Sequence, residues 1–233
     1  MIDFHSHVLP RVDDGSKGLA ESIAMLESMK AQGVTKVIAT PHFLANNESI
    51  DSFVSRRNRA YRALMEREPN GPEIQLGAEI KYYDGISRLP DLKKLRIENS
   101  RLLLLEMPFN QWTEYAIREV IDIAGRGKIT LVLAHIDRYV NMQKRDTLPR
   151  LLENGVLFQA NTSYFTNCFT KHKALKMLMT GQIHFIGSDC HNMTDRAPNT
   201  AKAVDVIRKK LGDAFVYDYI NYGNELFLQN KLS

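Results

Sequence analysis

Residues 1–42 read MIDFHSHVLPRVDDGSKGLAESIAMLESMKAQGVTKVIATPH. Short apolar runs at residues 2–5 and 36–40 enclose a longer segment, residues 16–32, whose apolar side chains recur at spacings of three or four. Those side chains are Leu19, Ile23, Leu26 and Met29. Such spacing places them on one face of a helix, which Gly33 can terminate. The stretch therefore predicts a strand, an amphipathic helix and a second strand, the unit from which parallel sheets are built.

The same alternation continues along the rest of the chain. Further short apolar runs lie at residues 74–80, 102–107, 130–135, 157–161 and 184–188, which gives seven predicted strands. Further helical patterns occupy residues 49–68, 114–125, 146–154, 171–180 and 199–211. The pattern predicts an α/β fold with a parallel sheet or barrel. Because no linker interrupts it, we expect one domain over residues 1–233.

The composition excludes several classes of protein. With 44% hydrophobic and 25% charged residues, the chain is typical of a globular protein rather than a disordered one. The net charge of +4 comes without a basic run or a basic-aromatic stripe, so we expect no nucleic-acid partner. The longest apolar run, residues 102–105, is too short for direct membrane insertion. Two cysteines and no pattern typical of a secretory signal at the first residues favour the cytoplasm.

Histidines and carboxylates follow the predicted strands. His5 and His7 are two residues apart, so an extended backbone points both imidazoles to one side, where they can share a metal ion. Taken alone, such a pair is also an ordinary feature of a strand face. The pattern recurs, however, at the ends of other predicted strands. The residues there are His42, Glu79, Glu106, His135, Asp189 and His191.

The carboxyl ends of parallel strands meet on one face of a barrel, so these side chains are expected to lie close together. Clustered acids are costly unless cations neutralise them, and mixed imidazole and carboxylate ligands suit Mn, Fe or Zn better than calcium. We therefore expect a multinuclear metal site. For any one of these residues taken singly, a hydrogen-bonded polar group or a solvated charge remains the simpler interpretation.

Five short motifs carry a resemblance to a known family. They are Asp3-Phe4-His5-Ser6-His7, Asp13-Asp14-Gly15, Thr40-Pro41-His42, Ala134-His135-Ile136-Asp137-Arg138-Tyr139 and Gly187-Ser188-Asp189-Cys190-His191. Together they resemble the polymerase and histidinol phosphatase (PHP) superfamily. Within it, they are similar to the bacterial metal-dependent protein-tyrosine phosphatases of capsule and exopolysaccharide loci. The resemblance covers essentially the whole chain and implies a distorted seven-stranded parallel β/α barrel that holds three metal ions, commonly manganese.

The resemblance also implies a role for each polar residue. One metal would be surrounded by His5, His7, Glu79 and Asp189, with Glu79 bridging to a second metal held by Glu106 and His135, and a third held by Asp14, His42 and His191. Asp13 is expected to order its loop rather than to bind metal. Asp137 departs from relatives that often carry Glu, and we expect this to affect only the geometry next to it.

Two arginines follow predicted ligands closely. Arg138 lies three residues after His135, and Arg196 lies five after His191, so both are expected in loops on the metal face. A guanidinium group can bind two phosphate oxygens at once, which makes both residues candidate phosphate clamps. A salt bridge to a neighbouring carboxylate is the alternative for each.

Other residues have less direct interpretations. Cys190 and Arg196 reproduce the cysteine-to-arginine spacing of thiol-dependent tyrosine phosphatases, but residues 191–195 lack the glycine that usually helps such a loop to wrap phosphate. We therefore expect no thiol mechanism. His172 and His184 are not expected to reach the metal face. For Phe109 and Trp112, a rim that contacts an aromatic substrate and a simple cover for the barrel mouth both remain open.

The expected activity is hydrolysis of phosphotyrosine. The resemblance implies that the substrate is the tyrosine-rich tail of a bacterial tyrosine autokinase, which would make the protein a regulator of polysaccharide synthesis. A small-molecule phosphomonoesterase such as histidinol phosphatase could use the same metals and arginines. A metal-stabilised module that docks on the kinase is a non-enzymatic alternative.

Overall fold

The computed structural model describes residues 1–232. Within this range the chain forms nine strands, which are β1 (Ile2–Ser6), β2 (Lys36–Ala39), β3 (His42–Phe43), β4 (Glu73–Leu76), β5 (Glu79–Lys81), β6 (Leu102–Glu106), β7 (Thr130–Leu133), β8 (Leu157–Asn161) and β9 (Phe185–Gly187). The helices of the same range are α1 (Leu19–Ala31), α2 (Ile50–Met65), α3 (Glu114–Ala124), α4 (Ile136–Tyr139), α5 (Thr147–Glu153), α6 (Thr162–Thr166), α7 (Lys171–Met179) and α8 (Thr200–Gln229). Two short 3₁₀ helices, Ile86–Arg88 and Leu92–Leu95, precede β6.

Local sequence explains where several helices begin and end. The side chains of Ser49 and Thr113 accept hydrogen bonds from backbone N–H groups in the first turns of α2 and α3, which are capping arrangements. Gly33 follows α1 with φ 81°, a left-handed conformation that glycine adopts without strain. It therefore stands at the helix end that the sequence predicts.

The strands form two parallel sheets that meet at β1 and β9. One sheet has the order β1-β2-β4, and the other has the order β3-β5-β6-β7-β8-β9. The N–H of Asp189 donates to the carbonyl of His5 (2.8 Å), and the N–H of His7 donates to the carbonyl of Cys190 (2.9 Å). These bonds bring the first and last strands together, so the parallel strands curl around a common interior.

The structure has nine strands among residues 1–232, not the predicted seven. The predicted strand at residues 74–80 is divided into β4 and β5, and β3 follows β2 after Pro41. β2 pairs with β4 in one sheet, whereas β3 pairs with β5 in the other. The segments β2–β3 and β4–β5 are therefore interrupted side by side, at Pro41 and at Gly77, and each segment passes from one sheet to the other at that point.

The last helix also differs from the prediction. The predicted segment 199–211 does end at a break, because Gly212 has the non-helical angles φ 88° and ψ 166°. A second helical segment then continues to the end of α8, which the prediction missed. Its Phe227 packs in a buried cluster with Phe4 and Ile38, so the segment covers part of the core.

Buried apolar side chains lie directly beneath the strand ends. Leu102 and Leu104 of β6 belong to a buried cluster with Phe4 and Phe185, whose rings stack with centroids 3.9 Å apart. Because alternate residues of a strand share a face, Glu106 continues the face of these leucines to the carboxyl end of β6. The apolar interior thus ends where the polar site begins. Within residues 1–232, no helix is long and apolar enough to cross a membrane.

Candidate metal centre

The nine side chains that the sequence singles out as ligands come together at the carboxyl ends of the strands. Their ligand atoms form overlapping sets in which all atoms lie within 4.8 Å of one another. The sets are His7, Asp14, His42 and His191; His5, His135 and Asp189; His5, His7 and Glu79; and His42, Glu79 and Glu106. Every predicted ligand belongs to at least one set.

Four of the imidazoles are held in one orientation by a hydrogen bond at Nδ1. The acceptors are Gln159 Oε1 for His5 (3.2 Å), Asp13 Oδ2 for His7 (2.6 Å), Asn161 Oδ1 for His135 (3.0 Å) and the carbonyl of Asp189 for His191 (2.9 Å). All four acceptors are oxygens, so Nδ1 must carry the proton in each bond. In its neutral form, a ring held in this way presents the lone pair of Nε2, as metal-ligating histidines do.

Glu79 occupies the middle of the cluster. Its Oε2 lies 3.2 Å from His5 Nε2, 3.3 Å from His7 Nε2 and 3.0 Å from His42 Nδ1, and its Oε1 lies 2.7 Å from His135 Nε2. Burial opposes ionisation of this carboxyl, but the facing imidazoles, led by His5 and His135, outweigh it and hold the pKa of Glu79 well below its usual range. Glu79 is therefore a buried carboxylate shared by several imidazoles.

Asp189 is a second buried carboxylate, and its two oxygens face different groups. Oδ1 lies 3.7 Å from His5 Nε2 and 3.5 Å from His7 Nε2. Oδ2 accepts a hydrogen bond from Arg138 Nη2 (2.8 Å) and forms an ion pair with Arg196 Nη2 (2.9 Å). Burial raises the pKa of Asp189, but the imidazoles of His7 and His5 outweigh burial and keep it well below its usual range.

The outer part of the cluster consists of Asp14, His42 and His191. Asp14 Oδ1 lies 3.4 Å from His42 Nε2 and 3.6 Å from His191 Nε2. The Asp14 side chain is exposed, whereas that of His191 is buried. Burial and the neighbouring His7 lower the pKa of His191 to about 4, so its ring is neutral at physiological pH.

The spatial sets match the expected grouping in part. The third group, Asp14, His42 and His191, lies together with His7 added. His135 lies close to Glu79 but 3.9 Å from Glu106, and the set that contains Glu106 has His42 instead. The assignment of individual side chains to three ions therefore stays a prediction.

Both arginines lie on the face that carries the cluster, and both contact Asp189. Each side chain is about one third exposed, with values of 35% for Arg138 and 36% for Arg196. The N–H of His191 donates to the carbonyl of Arg196 (2.9 Å), which folds the intervening loop back on itself. The structure thus shows the salt bridge to a neighbouring carboxylate, formed by two partly exposed guanidinium groups at the mouth of the site.

Asp13 and Asp137 act on the loops around the cluster. Asp13 accepts hydrogen bonds from His7 Nδ1, from the N–H of Gly15 (3.0 Å) and from the N–H of His42 (2.9 Å). It therefore orders its loop, as expected. Asp137 accepts from the N–H of Asn161 (2.9 Å), and burial raises its pKa.

Sequence reasoning missed two positioning residues, Gln159 and Asn161 of β8. Gln159 Oε1 accepts from His5 Nδ1 and from the N–H of His135 (3.0 Å), while its Nε2 donates to Asn161 Oδ1 (3.1 Å). Asn161 Nδ2 donates to Asp189 Oδ2 (3.1 Å). The sequence held a signal for them, because the predicted strand 157–161 carries two amides at alternate positions near its end, just as His5 in β1 and His7 directly after β1 alternate.

Backbone geometry at two strand ends is unusual. His135 and Asp189 both have φ 52°, a left-handed conformation that is uncommon for residues with a side chain. Gly187 lies so close to β1 that an added Cβ would stand 2.5 Å from His5 Cβ and 2.7 Å from its backbone nitrogen. The ends of β7 and β9 are therefore shaped to direct side chains into the cluster.

The remaining sequence candidates lie away from the cluster or serve its surroundings. Cys190 is fully buried among apolar residues that include Val8 and Leu9, and burial raises the pKa of its thiol. His184, which directly precedes β9, accepts at Nδ1 a hydrogen bond from the N–H of Phe158 in β8. His172 lies on α7 and lines a surface groove with Lys173. Neither histidine belongs to any of the four sets of candidate ligands.

The donor set fits divalent cations. Glu79 Oε2, Asp189 Oδ1 and His191 Nε2 are buried, and although imidazole nitrogens or carboxylate oxygens lie near them, none of the three makes a hydrogen bond of acceptable geometry within residues 1–232. Unpartnered buried polar atoms are costly, and Glu79, Asp189 and His191 each belong to at least one of the sets of candidate ligands. Imidazole nitrogens and carboxylate oxygens in this mixture suit ions such as Mn²⁺, Fe²⁺ or Zn²⁺.

Two solved structures share this architecture. A chain from the crystal structures of YwqE from Bacillus subtilis and CpsB from Streptococcus pneumoniae, described as unique metal-dependent tyrosine phosphatases, superposes with a TM-score of 0.83. It is 28% identical, and the match covers 100% of this chain and 96% of that one. A putative histidinol phosphatase from Listeria monocytogenes superposes with a TM-score of 0.51 at 12% identity, which shows a common fold.

Comparison of sequences also finds YwqE and proteins named CpsB. The tyrosine-protein phosphatase YwqE of Bacillus subtilis is 31% identical over 99% of this chain and 92% of its own length. The tyrosine-protein phosphatase CpsB of Streptococcus agalactiae serotype III is 28% identical over 100% of this chain and 97% of its own length. The family model for capsular polysaccharide synthesis, CpsB/CapC, matches residues 1–230. The chain therefore belongs to the CpsB/CapC family.

Proposed function

We propose that this protein is a metal-dependent protein-tyrosine phosphatase. The observation that supports this most directly is the juxtaposition of two kinds of group. Buried, unpartnered atoms of Glu79, Asp189 and His191 lie in the ligand cluster, and two arginines stand beside Asp189 at its mouth. The cluster suits cations, and the arginines suit the oxygens of a phosphate monoester.

The proposed ligands are His5, His7, Asp14, His42, Glu79, Glu106, His135, Asp189 and His191. Three ions, manganese by resemblance, would account for this number of donors, with iron or zinc as chemically similar alternatives. Bound divalent cations would supply a lowered pKa for water and neutralisation of phosphate charge. Gln159, Asn161 and Asp13 hold the imidazoles so that their Nε2 atoms face the centre.

The proposed catalytic roles of Arg138 and Arg196 are to bind and orient the phosphate. Each guanidinium group now shares Asp189 Oδ2, and each is partly exposed, so substrate can reach it without unfolding the loop. The tyrosine leaving group has an ordinary pKa near 10, so it leaves with less help from a general acid than an alkyl alcohol needs. No covalent phosphoenzyme is required.

We further propose that the natural substrate is the phosphotyrosine-containing tail of a bacterial tyrosine autokinase in the cytoplasm, and that its dephosphorylation regulates capsule or exopolysaccharide synthesis. Membership of the CpsB/CapC family supports the connection to capsular polysaccharide.

The backbone bonds between β1 and β9 support treating the two sheets as one distorted barrel around the site, with the divided strands counted as continuous.

The experiment is a substrate comparison on protein of known metal content. Purified protein is stripped with a chelator, reloaded with Mn²⁺ and assayed on a phosphotyrosine peptide, a phosphoserine peptide and histidinol phosphate. We expect turnover of the phosphotyrosine peptide only after reloading. Full activity in verified metal-free protein would contradict the metal requirement. Faster turnover of histidinol phosphate would make the protein a small-molecule phosphatase.

A second arm tests the proposed ligands and the docking alternative together. His135→Ala and Asp189→Ala should each lower turnover by orders of magnitude, because neighbouring ligands share the cation site. Normal turnover in both variants would contradict the ligand assignment. If these inactive variants regulate polysaccharide synthesis as well as the wild type does, the protein acts by docking rather than by catalysis.

A further inference from the structure

Phe109 is an exposed aromatic ring beside one of the proposed phosphate clamps. It is 51% exposed, although it lies three residues beyond Glu106 at the end of β6. The guanidinium carbon of Arg138 lies 5.3 Å from the centre of its ring. The same guanidinium group donates to Asp189 Oδ2 in the cluster. Phe109 therefore stands within one side chain of the place where phosphate would bind.

The loop that carries Phe109 is fixed at several points. The ring stacks on Tyr139, with centroids 5.6 Å apart and planes inclined by 22°. The Tyr139 hydroxyl donates to the carbonyl of Met107 (2.7 Å) and accepts from its N–H (3.1 Å). Trp112 Nε1 donates to the carbonyl of Pro108 (3.0 Å). Hydrogen bonds and ring stacking thus hold the loop that carries Phe109, although about half of the Phe109 side chain remains exposed to solvent.

Trp112 covers the barrel mouth, which is the second of the two roles that the sequence left open for it. It is only 5% exposed and packs its ring edge against Tyr139 at a centroid distance of 5.1 Å. Trp112 therefore covers and braces the loop, whereas Phe109 alone of these two rings remains available to a ligand. Ligand sites combine apolar and aromatic side chains with a few polar groups, and an exposed ring at the edge of a polar site fits that composition.

We propose that Phe109 contacts the aromatic ring of the substrate and selects aryl over alkyl phosphate monoesters. This inference rests on the proposed function and adds a specificity residue to it. A phosphate bound by Arg138 would place the attached aryl group next to a ring that Arg138 already adjoins. Stacked or edge-to-face aromatic pairs add a modest favourable contribution beyond their buried area. An alkyl phosphate, which lacks the ring, would not gain that contribution.

The test compares two inhibitors that differ only in the group attached to phosphorus. Phenylphosphonate and methylphosphonate are titrated as competitive inhibitors of phosphotyrosine-peptide hydrolysis by the Mn²⁺-loaded protein. We expect the wild type to prefer phenylphosphonate and Phe109→Ala to lose roughly three- to tenfold of that preference, the size expected for one aromatic pair. Phe109→Trp should keep the preference, because it restores an aromatic face.

Two outcomes separate this role from a structural one. If Phe109 only supports Arg138, the alanine variant will bind both phosphonates more weakly by the same factor, and its unchanged preference would overturn the proposal. Tyr217→Ala is the matched control, since Tyr217 is 68% exposed on α8 and should leave both inhibition constants unaltered. An inactive metal-loaded wild type would overturn the proposed function itself, whereas an active one with an unaltered Phe109→Ala preference overturns only the inference.

Discussion

Replacing Gln159 by leucine should weaken metal binding without removing a ligand. One side-chain oxygen of Gln159 accepts hydrogen bonds from His5 Nδ1 and from the N–H of His135, both buried. Leucine has a similar size but cannot accept either bond, so the His5 ring loses the partner that fixes its tautomer. Removing one such supporting bond typically costs 10- to 100-fold in metal affinity, which is about 1.4 to 2.7 kcal/mol.

Folding should be affected independently of metal. The N–H of His135 would be left buried without an acceptor, which costs about 1 to 3 kcal/mol. We therefore expect Gln159→Leu to lower the free energy of unfolding by that amount even with a chelator present. The metal effect and the folding effect can then be separated, because only the first depends on the concentration of Mn²⁺.

Calorimetric titration of chelator-stripped protein with Mn²⁺ measures the first effect, and denaturant unfolding in chelator measures the second. Gln75→Leu is the matched control, because Gln75 is also buried in a strand but donates to the carbonyl of Glu98, away from the cluster. The control should keep its metal affinity. Wild-type affinity for Mn²⁺ in Gln159→Leu would refute the view that β8 orients the imidazoles.

Three further predictions concern residues with separate roles. Cys190→Ser should keep most phosphatase activity, since the thiol is buried with a raised pKa; an inactive variant that is folded and metal-loaded would favour a thiol mechanism. Arg196→Ala should lower both kcat and substrate affinity, at a total cost of about 2 to 4 kcal/mol, and should leave the metal content unchanged. Arg196→Lys should recover part of the activity, because it keeps the charge but loses the two-point contact. Wild-type kinetics in the alanine variant would leave Arg196 as a salt-bridge partner only. Burial lowers the pKa of His184 to about 4. Between about pH 6.5 and pH 4 the unfolded chain therefore binds a proton at this residue that the folded protein does not. As the pH falls through that range, we expect the free energy of unfolding to decrease by up to about 3 kcal/mol. His184→Asn should show a shallower loss in denaturant unfolding over that range, and curves parallel to the wild type would contradict the assignment.

The strand ends were predictable from sequence because their chemistry is conspicuous. Histidine and carboxylate side chains after short apolar runs, such as His135 after β7 and Asp189 after β9, are costly to bury without a common purpose. In a parallel fold their convergence follows from topology alone. The positions of Gln159 and Asn161 were accessible in the same way, but neutral amides carry no charge that demands an explanation.

Other features depend on contacts that one sequence does not reveal. In the sequence, Pro41 and Gly77 look like ordinary turn or strand residues. Only the pairing of β2 with β4 and of β3 with β5 shows that the backbone passes from one sheet to the other at these two residues. The predicted end of a helix at residue 211 is correct, but no local pattern predicts that a second helical segment follows Gly212. The sharing of Asp189 by two arginines likewise depends on which loops become neighbours.

The contact between β1 and β9 has a consequence for how the protein is made. Asp3 accepts a hydrogen bond from the N–H of Ser188, a residue 185 positions later in the chain, and His5 and His7 bond to the backbone of that same late segment. During translation the first strand leaves the ribosome long before its partner exists. The centre therefore cannot be completed before residues 185–191 have been made, and a chain that stops before residue 185 leaves β1 without one of its two neighbouring strands.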